Sequence, residues 1–256
     1  MLPQDKAKRK AKTKLNIQKQ EENLLWIMYN VRAKEHILFF KYGDRETVYL
    51  KSKDGIFGEV IDSIGNIKRT VDRDLFSAVI HHIIGQQISS AVQKTIWKRI
   101  NDKIGKITID SINGLSTNEI QKFGTTFRKA EYIKNFAGKI KRGEFILDDI
   151  PNKNDEEIIK QLSTLKGVGI WTAEMTMIFC LQRPDILSYN DLAIHRGLCM
   201  LYHHRKIDRK LFEKYRRRFS PYCSVASLYL WAVAGGAVKD MKDYAPNNDL
   251  KRRSAR

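Results

Sequence analysis

The chain has 256 residues, 42% of them hydrophobic and 10% aromatic, which supports a sizeable core and excludes disorder over the whole length. Its 47 Lys and Arg against 29 Asp and Glu leave a formal charge of +18, and polyanion binding is the commonest reason to carry such self-repulsion. Nucleic acid comes first, with an acidic membrane surface or plain solubility as alternatives. No uninterrupted apolar run approaches the roughly 18 residues of a membrane span, and the N-terminus lacks the apolar stretch of a secretory signal, so no membrane partner is expected.

Taken in chain order, residues 1–22 form a basic segment with Lys6, Lys8, Arg9, Lys10, Lys12, Lys14 and Lys19 and almost no apolar content. Such a run reads as a solvated tail, or as an arm that adds salt-sensitive affinity for DNA without reading sequence. Leu24 to Phe40 could form a helix followed by a short extended piece. After Gly43 the pattern turns helical, with short helices expected at Asp44–Lys51 and Ile56–Ile64. Leu75, Phe76, Val79, Ile80, Ile83 and Ile84 make the stripe of a core-facing helix starting near Asp72 or Asp74 and ending at Gly85. Ser89 or Ser90 can cap the next helix, through Val92, Ile96, Trp97 and Ile100. Further helices are expected at Thr117–Phe123, Arg128–Arg142, Asp155–Thr164, Trp171–Gln182, Leu192–Tyr202, Arg209–Phe219 and Ser224–Ala234. Helices separated by short polar or glycine-bearing loops predict an all-α fold.

The stretch Leu165-Lys166-Gly167-Val168-Gly169-Ile170-Trp171-Thr172-Ala173 lies between two of these helices. Gly167 and Gly169 permit backbone angles that a side chain would forbid, so the connection reads as a tight hairpin. At the start of the second helix the amides of Gly169 to Thr172 lack intrahelical partners and point outward with the positive end of the dipole, where a phosphate oxygen fits. A turn that merely requires glycine would look the same. Asp191 follows the second helix, and it either caps the helix from Leu192 or presents a carboxylate to a ligand.

The cysteines, Cys180, Cys199 and Cys223, are far apart and lack CxxC spacing, so no zinc site and no iron–sulfur cluster is expected. Buried thiols in a reducing cytosol fit them better, and the expected location is cytoplasmic. His81-His82 and His203-His204 are adjacent pairs that point to different helix faces and chelate poorly. His195, four residues after Asp191, is close enough to orient it, or is an ordinary core or surface histidine.

The hairpin, the helix after it and the Asp191 loop resemble the helix-hairpin-helix (HhH-GPD) DNA glycosylase superfamily, in which a hairpin of the form LPGVG precedes an aspartate further along the chain. Ile84-Gly85-Gln86-Gln87-Ile88-Ser89 and the segment from Pro221 to Trp231 are similar to the 3-methyladenine DNA glycosylase II branch. The resemblance extends from about Asp44 to Ala237, and three separated segments carry it. Lys166 departs from the pattern by replacing the usual Pro, and the chain before Asp44 is short for the family's N-terminal β-containing domain.

The resemblance implies two helical subdomains with the active-site cleft between them, one over about residues 75–190 and the other over about 23–74 plus 191–245. It implies a monomeric base excision repair enzyme acting on damaged double-stranded DNA and associated with the nucleoid through it. Asp191 would be the catalytic carboxylate. Trp171, Trp231, Met175 and Tyr189 would line the base pocket, although without the resemblance each tryptophan reads first as core packing. Gln87 would fill the gap left by the flipped base, or be an ordinary polar helix-entry residue, while Lys166, Gly167, Gly169 and Thr172 would hold the DNA backbone. Ser163, Leu165 and Gly167 could hold a monovalent cation through their carbonyls, and no other cofactor is implied. Members that also nick the strand carry a lysine nucleophile where this chain has Trp171, so a monofunctional hydrolase of alkylated bases is expected. The alternatives are a monofunctional enzyme for deaminated or mispaired bases, and a non-catalytic DNA-binding protein.

Overall fold

A computed structural model describes residues 38–239 and 241–244. The basic segment 1–22 and the expected helix from Leu24 lie outside the described residues, apart from the end of the latter. The chain divides into two units, Met1–Phe39 and Phe40–Arg256. Of the first, only the short strand β1 (Leu38–Phe39) is described.

The second unit is helical, with twelve α-helices among the described residues and one two-residue strand, β2 (Thr70–Val71). Its helices pack as two groups. The first comprises α1 (Asp44–Lys53), α2 (Gly55–Ile64), α10 (Leu192–Tyr202), α11 (Arg209–Phe219) and α12 (Cys223–Ala234). The second comprises α3 (Leu75–Gly85), α4 (Ser90–Ile104), α5 (Ile109–Asn113), α6 (Thr117–Lys122), α7 (Phe127–Lys141), α8 (Asp155–Leu162) and α9 (Ile170–Phe179).

Each group is built around one nearly all-apolar helix. In the second group α3 is buried almost throughout, because its apolar residues occupy more than one face and α4, α7 and α9 cover them. In the first group α12 plays that part, packed against α10 at a distance only glycine allows: a Cβ at Gly197 would meet the Leu230 carbonyl oxygen at 2.4 Å. Surface helices are amphipathic; α11 buries Phe212, Tyr215 and Phe219 and turns Arg209, Lys210, Lys214 and Arg217 outward. Most helix starts carry side-chain caps, with Asp54, Asp74, Ser89, Thr108, Ser116, Thr126, Asn154 and Asp208 each accepting an amide. Each such cap contributes about 1 kcal/mol.

Two features differ from the sequence expectation. The one-turn helix α5 and a 3-10 turn at Ile150–Asn152 lie where no periodic pattern can be read, since each is too short to repeat an apolar stripe. The helix expected to run to Gln182 ends at Phe179, because Gln182 takes a left-handed conformation (φ 52) two residues before Pro184. That early stop frees the loop 180–191 to cross toward the next helix.

Candidate active site

The hairpin and the Asp191 loop open onto one cleft of about 820 Å³, lined by Gln86, Gln87, Arg128, Tyr132, Ser163, Leu165, Gly167, Val168, Gly169, Trp171, Thr172 and residues 190–193. Two helix starts, those of α9 and α10, face it.

At the first, the turn between α8 and α9 depends on one glycine. Gly167 has φ 82, and a Cβ there would meet the Tyr132 ring at 2.1 Å, so both backbone and packing exclude a side chain. Gly169 is different: its φ is −91 and nothing lies within 4 Å of where its Cβ would be. The expectation that both glycines serve the turn geometry is therefore corrected; Gly169 leaves space instead. It is the N-cap of α9 and supplies no side-chain cap, so the first amides of α9 face the cleft without a partner from the cap.

Gln86 fixes this hairpin from the other side. Its Nε2 donates to the Gly167 carbonyl at 2.7 Å and to the Thr172 hydroxyl at 2.8 Å. Thr172 is buried, so its hydroxyl holds Gln86 and is not offered to DNA; only its amide remains for that purpose. The Gly167 carbonyl accepts that Gln86 bond and the Leu165 carbonyl accepts the Val168 amide at 3.1 Å, so each keeps one further acceptor position, and Ser163, Leu165 and Gly167 all line the cleft. Lys129 lies below, buried, with Nζ donating to the carbonyls of Ile84 at 2.8 Å and Gln86 at 2.5 Å. It satisfies the end of α3, and burial, with Arg128 adding, pushes its ammonium down from the usual lysine value. Gln87, next along, is exposed at the cleft and left-handed (φ 56), a backbone region few non-glycine residues adopt.

At the second start, Asp191 is 7% exposed and caps α10. Its Oδ1 accepts the amides of Ala193 at 2.9 Å and Ile194 at 3.0 Å, and its Oδ2 accepts the Trp171 indole N–H at 2.8 Å. A carboxylate has about four acceptor positions. Three are used here, and the remaining one is on Oδ2. The carboxylate thus has a fixed direction and one open lone pair.

A second carboxylate lies close by. Glu174, one turn after Trp171 on α9, accepts a short bond from the hydroxyl of fully buried Ser188. Burial pushes the Glu174 carboxyl up from the ordinary range; the Ser188 hydroxyl opposes this, the Asp191 charge adds to it, and Arg209 and Arg216 oppose it.

The sequence-predicted site residues separate into two sets. Asp191, Trp171, Gln87, Gly167, Gly169, Thr172, Ser163 and Leu165 line the cleft together, while Lys166 is exposed on the turn beside it. Trp231, Met175 and Tyr189 are not among the lining residues. Trp231 stacks on Phe179 at 5.5 Å, Met175 is buried in the core, and Tyr189 packs its ring on His195 and Phe212 with the Arg209 guanidinium 4.6 Å above it. His195 bonds the Tyr189 carbonyl at 2.7 Å and stacks on Phe212, so it supports the loop backbone and does not reach the Asp191 carboxylate. Gln86, Arg128, Tyr132, Lys129 and Glu174 escaped the sequence reading. Only Gln86 carried a signal, as the neighbour of Gln87 in the same motif.

The three thiols are free and buried, and burial pushes Cys180 up to about 12. Among the described residues no group of three or more His, Cys, Asp or Glu could hold a metal ion, and no helix is long and apolar enough to cross a membrane.

Comparison with known proteins places this geometry. Residues 80–221 match the family described as HhH-GPD superfamily base excision DNA repair protein. The chain is similar to DNA-3-methyladenine glycosylase 1 of Schizosaccharomyces pombe, 26% identical over 195 residues that cover 73% of this chain and 86% of that protein. It is similar to the DNA-3-methyladenine glycosylase of Saccharomyces cerevisiae, 30% identical over 200 residues, covering 63% of this chain and 67% of that protein. A crystal structure of DNA-3-methyladenine glycosidase from Bacillus halodurans superimposes with a TM-score of 0.66 at 27% identity, covering 80% of this chain and 95% of that one.

Proposed function

The chain belongs to the HhH-GPD superfamily of base excision DNA repair proteins, and on that premise we propose that it is a monofunctional DNA glycosylase releasing alkylated bases of the 3-methyladenine type from duplex DNA. The observation that carries this reading is the Asp191 carboxylate, held by two amides and an indole with one lone pair open in a cleft beside a helix start that has no side-chain cap. The names of the relatives support the substrate class.

The glycosidic bond of a stacked base is out of reach, so the nucleotide must swing into the cleft. The unpartnered amides of α9 take a backbone phosphate, with Lys166 adding charge at the rim. Gln87, exposed on its strained loop, fills the space the base leaves. Rupture of the C1′–N bond puts oxocarbenium-like positive charge on the sugar. The fixed negative charge of Asp191, with little water around it, stabilises that charge and orients the attacking water. Because the carboxylate needs no reorganisation, its stabilisation acts in full at the transition state. The Trp171 ring forms a wall of the same cleft, and an electron-poor alkylated base stacks well on indole.

Two features support hydrolysis without strand nicking. Trp171 occupies the position of the lysine nucleophile, and no lysine is among the residues lining the cleft. Lys129, the one lysine buried among the described residues, is bound to two carbonyls.

The test is base release from a methylated duplex. Asp191→Asn should lower release by about a thousandfold or more, in line with removing a preorganised electrostatic group, while duplex binding persists. Unchanged release would overturn the mechanism. Treated strands should break only after alkali, and a covalent product trapped with borohydride would contradict the monofunctional assignment.

A further inference from the structure

Asp191 is held from two sides by one helix face. Trp171 and Glu174 are three residues apart on α9 and so project together. Trp171 reaches the Asp191 carboxylate, and Glu174 reaches Ser188, at the other end of the same short turn. The turn is closed by the Asp191 amide donating to the Ser188 carbonyl at 3.3 Å. Ser188 is fully buried, and its hydroxyl has Glu174 as the acceptor within reach. Glu174 is not among the residues lining the cleft, so it does not touch the reacting atoms.

We propose that Glu174 is a positioning residue for the Asp191 carboxylate: through the Ser188 hydroxyl it fixes the turn Ser188–Asp191 to α9 and so sets the distance between the carboxylate and the helix start that receives the phosphate. This rests on the reading of Asp191 as the catalytic carboxylate. Without Glu174 the buried hydroxyl loses its acceptor and the turn is tied to α9 at the Trp171 end alone. The carboxylate stays capped on α10, but the turn and that helix start can then shift relative to α9, and a displacement of about 1 Å at a reacting group lowers rate by about a hundredfold. The operative property is the hydrogen bond, not the charge. A glutamine, which accepts the same bond through its amide oxygen, replaces the carboxylate.

The experiment measures single-turnover base release from a methylated duplex, together with duplex affinity, for Glu174→Ala, Glu174→Gln, Ser188→Ala and the Glu174→Ala/Ser188→Ala pair. Glu174→Ala and Ser188→Ala should each slow release by about ten- to a hundredfold with affinity unchanged, and the pair should be no slower than the worse single variant, as expected of two groups in one link. Glu174→Gln should stay near the wild-type rate. A second readout reports only folded molecules: the indole ¹⁵N–H resonance of Trp171, assigned by its loss in Trp171→Phe, should shift in Glu174→Ala and hold in Glu174→Gln. Release by Glu174→Ala at the wild-type rate, multiplying losses in the pair, a Gln variant as slow as the Ala variant, or an unmoved indole resonance in Glu174→Ala would each overturn the proposal. Asp191→Asn, run alongside, separates the two levels. If it leaves release intact, the reading of Asp191 falls and takes this one with it; if it abolishes release while Glu174→Ala does not slow it, only the positioning role falls.

Discussion

The starts of α9 and α10 face the same cleft and are chemically opposite. Both expose an aliphatic side chain at their first position, Ile170 and Leu192, and both present the positive end of a helix. At α9 the cap is Gly169, which brings no side chain and leaves open space where one would stand. At α10 the cap is Asp191, whose Oδ1 takes the Ala193 and Ile194 amides. One helix start is left for an external anion and the other carries its own. The difference teaches that the anion preference of a helix N-terminus can be used twice within one site: on the proposed reading the α9 start would hold a phosphate, while the α10 start fixes a carboxylate that keeps an open lone pair on its other oxygen. Trp171, on the first helix, bonds that other oxygen and ties the two starts together.

The largest effect is expected from breaking only the α9 side. Gly167→Ala adds a methyl at φ 82 and 2.1 Å from the Tyr132 ring, combining a left-handed backbone cost with overpacking. A loss of about 2–4 kcal/mol is expected in urea unfolding. A variant as stable as the parent would mean that the turn readily takes another form and does not preset the α9 start.

A smaller effect should follow from making the two starts alike. Gly169→Asp gives α9 the kind of cap α10 has, at a position with φ −91 and nothing within 4 Å. Stability should rise by a few tenths of a kcal/mol, because Asp improves on Gly only slightly as a cap. Duplex affinity should fall by about tenfold, since the new carboxylate occupies the phosphate position and repels it. The salt dependence of binding should flatten as one phosphate contact is lost. Unchanged affinity would show that the backbone of DNA does not approach α9.

The all-α fold and the hairpin-plus-aspartate core of the site were legible in the sequence, because those features are local. A glycine turn between two apolar-periodic stretches and an acidic residue before a helix can be seen within a few residues of one another. What pairs across the chain was not legible. Gln86 reaches residues 81 and 86 positions away, and Lys129 caps α3 from 45 and 43 positions on, so no spacing rule signals either. The direction of a side chain was equally hidden. Met175 is one turn from Trp171 and looks like a neighbour in a pocket, yet it faces the core; Tyr189 precedes Asp191 by two residues, yet its ring turns to Phe212. Gly169 was misread for a related reason, since sequence cannot separate a glycine needed for its angles from one needed for its emptiness.

The smallest effect isolates what the α10 start contributes to stability apart from chemistry. Asp191 does two things in the folded chain: Oδ1 caps the helix and Oδ2 takes the indole. Asparagine keeps an oxygen for the cap and caps as well as aspartate does, but its amide nitrogen cannot accept from Trp171; alanine loses both bonds. Asp191→Asn and Asp191→Ala therefore share the loss of the indole bond; Asn keeps the cap but sets its N–H2 against the indole N–H, so urea unfolding should separate them by up to about 1 kcal/mol, with Asn the more stable. If the two unfold together, the Oδ1 cap does not outweigh the contact of the Asn N–H2 with the indole N–H, and Trp171 and the Ser188 turn are the larger part of what sets the carboxylate's direction. A measured gap means that the helix start itself aims the charge, and the two ends of the cleft then differ only in whose anion they hold.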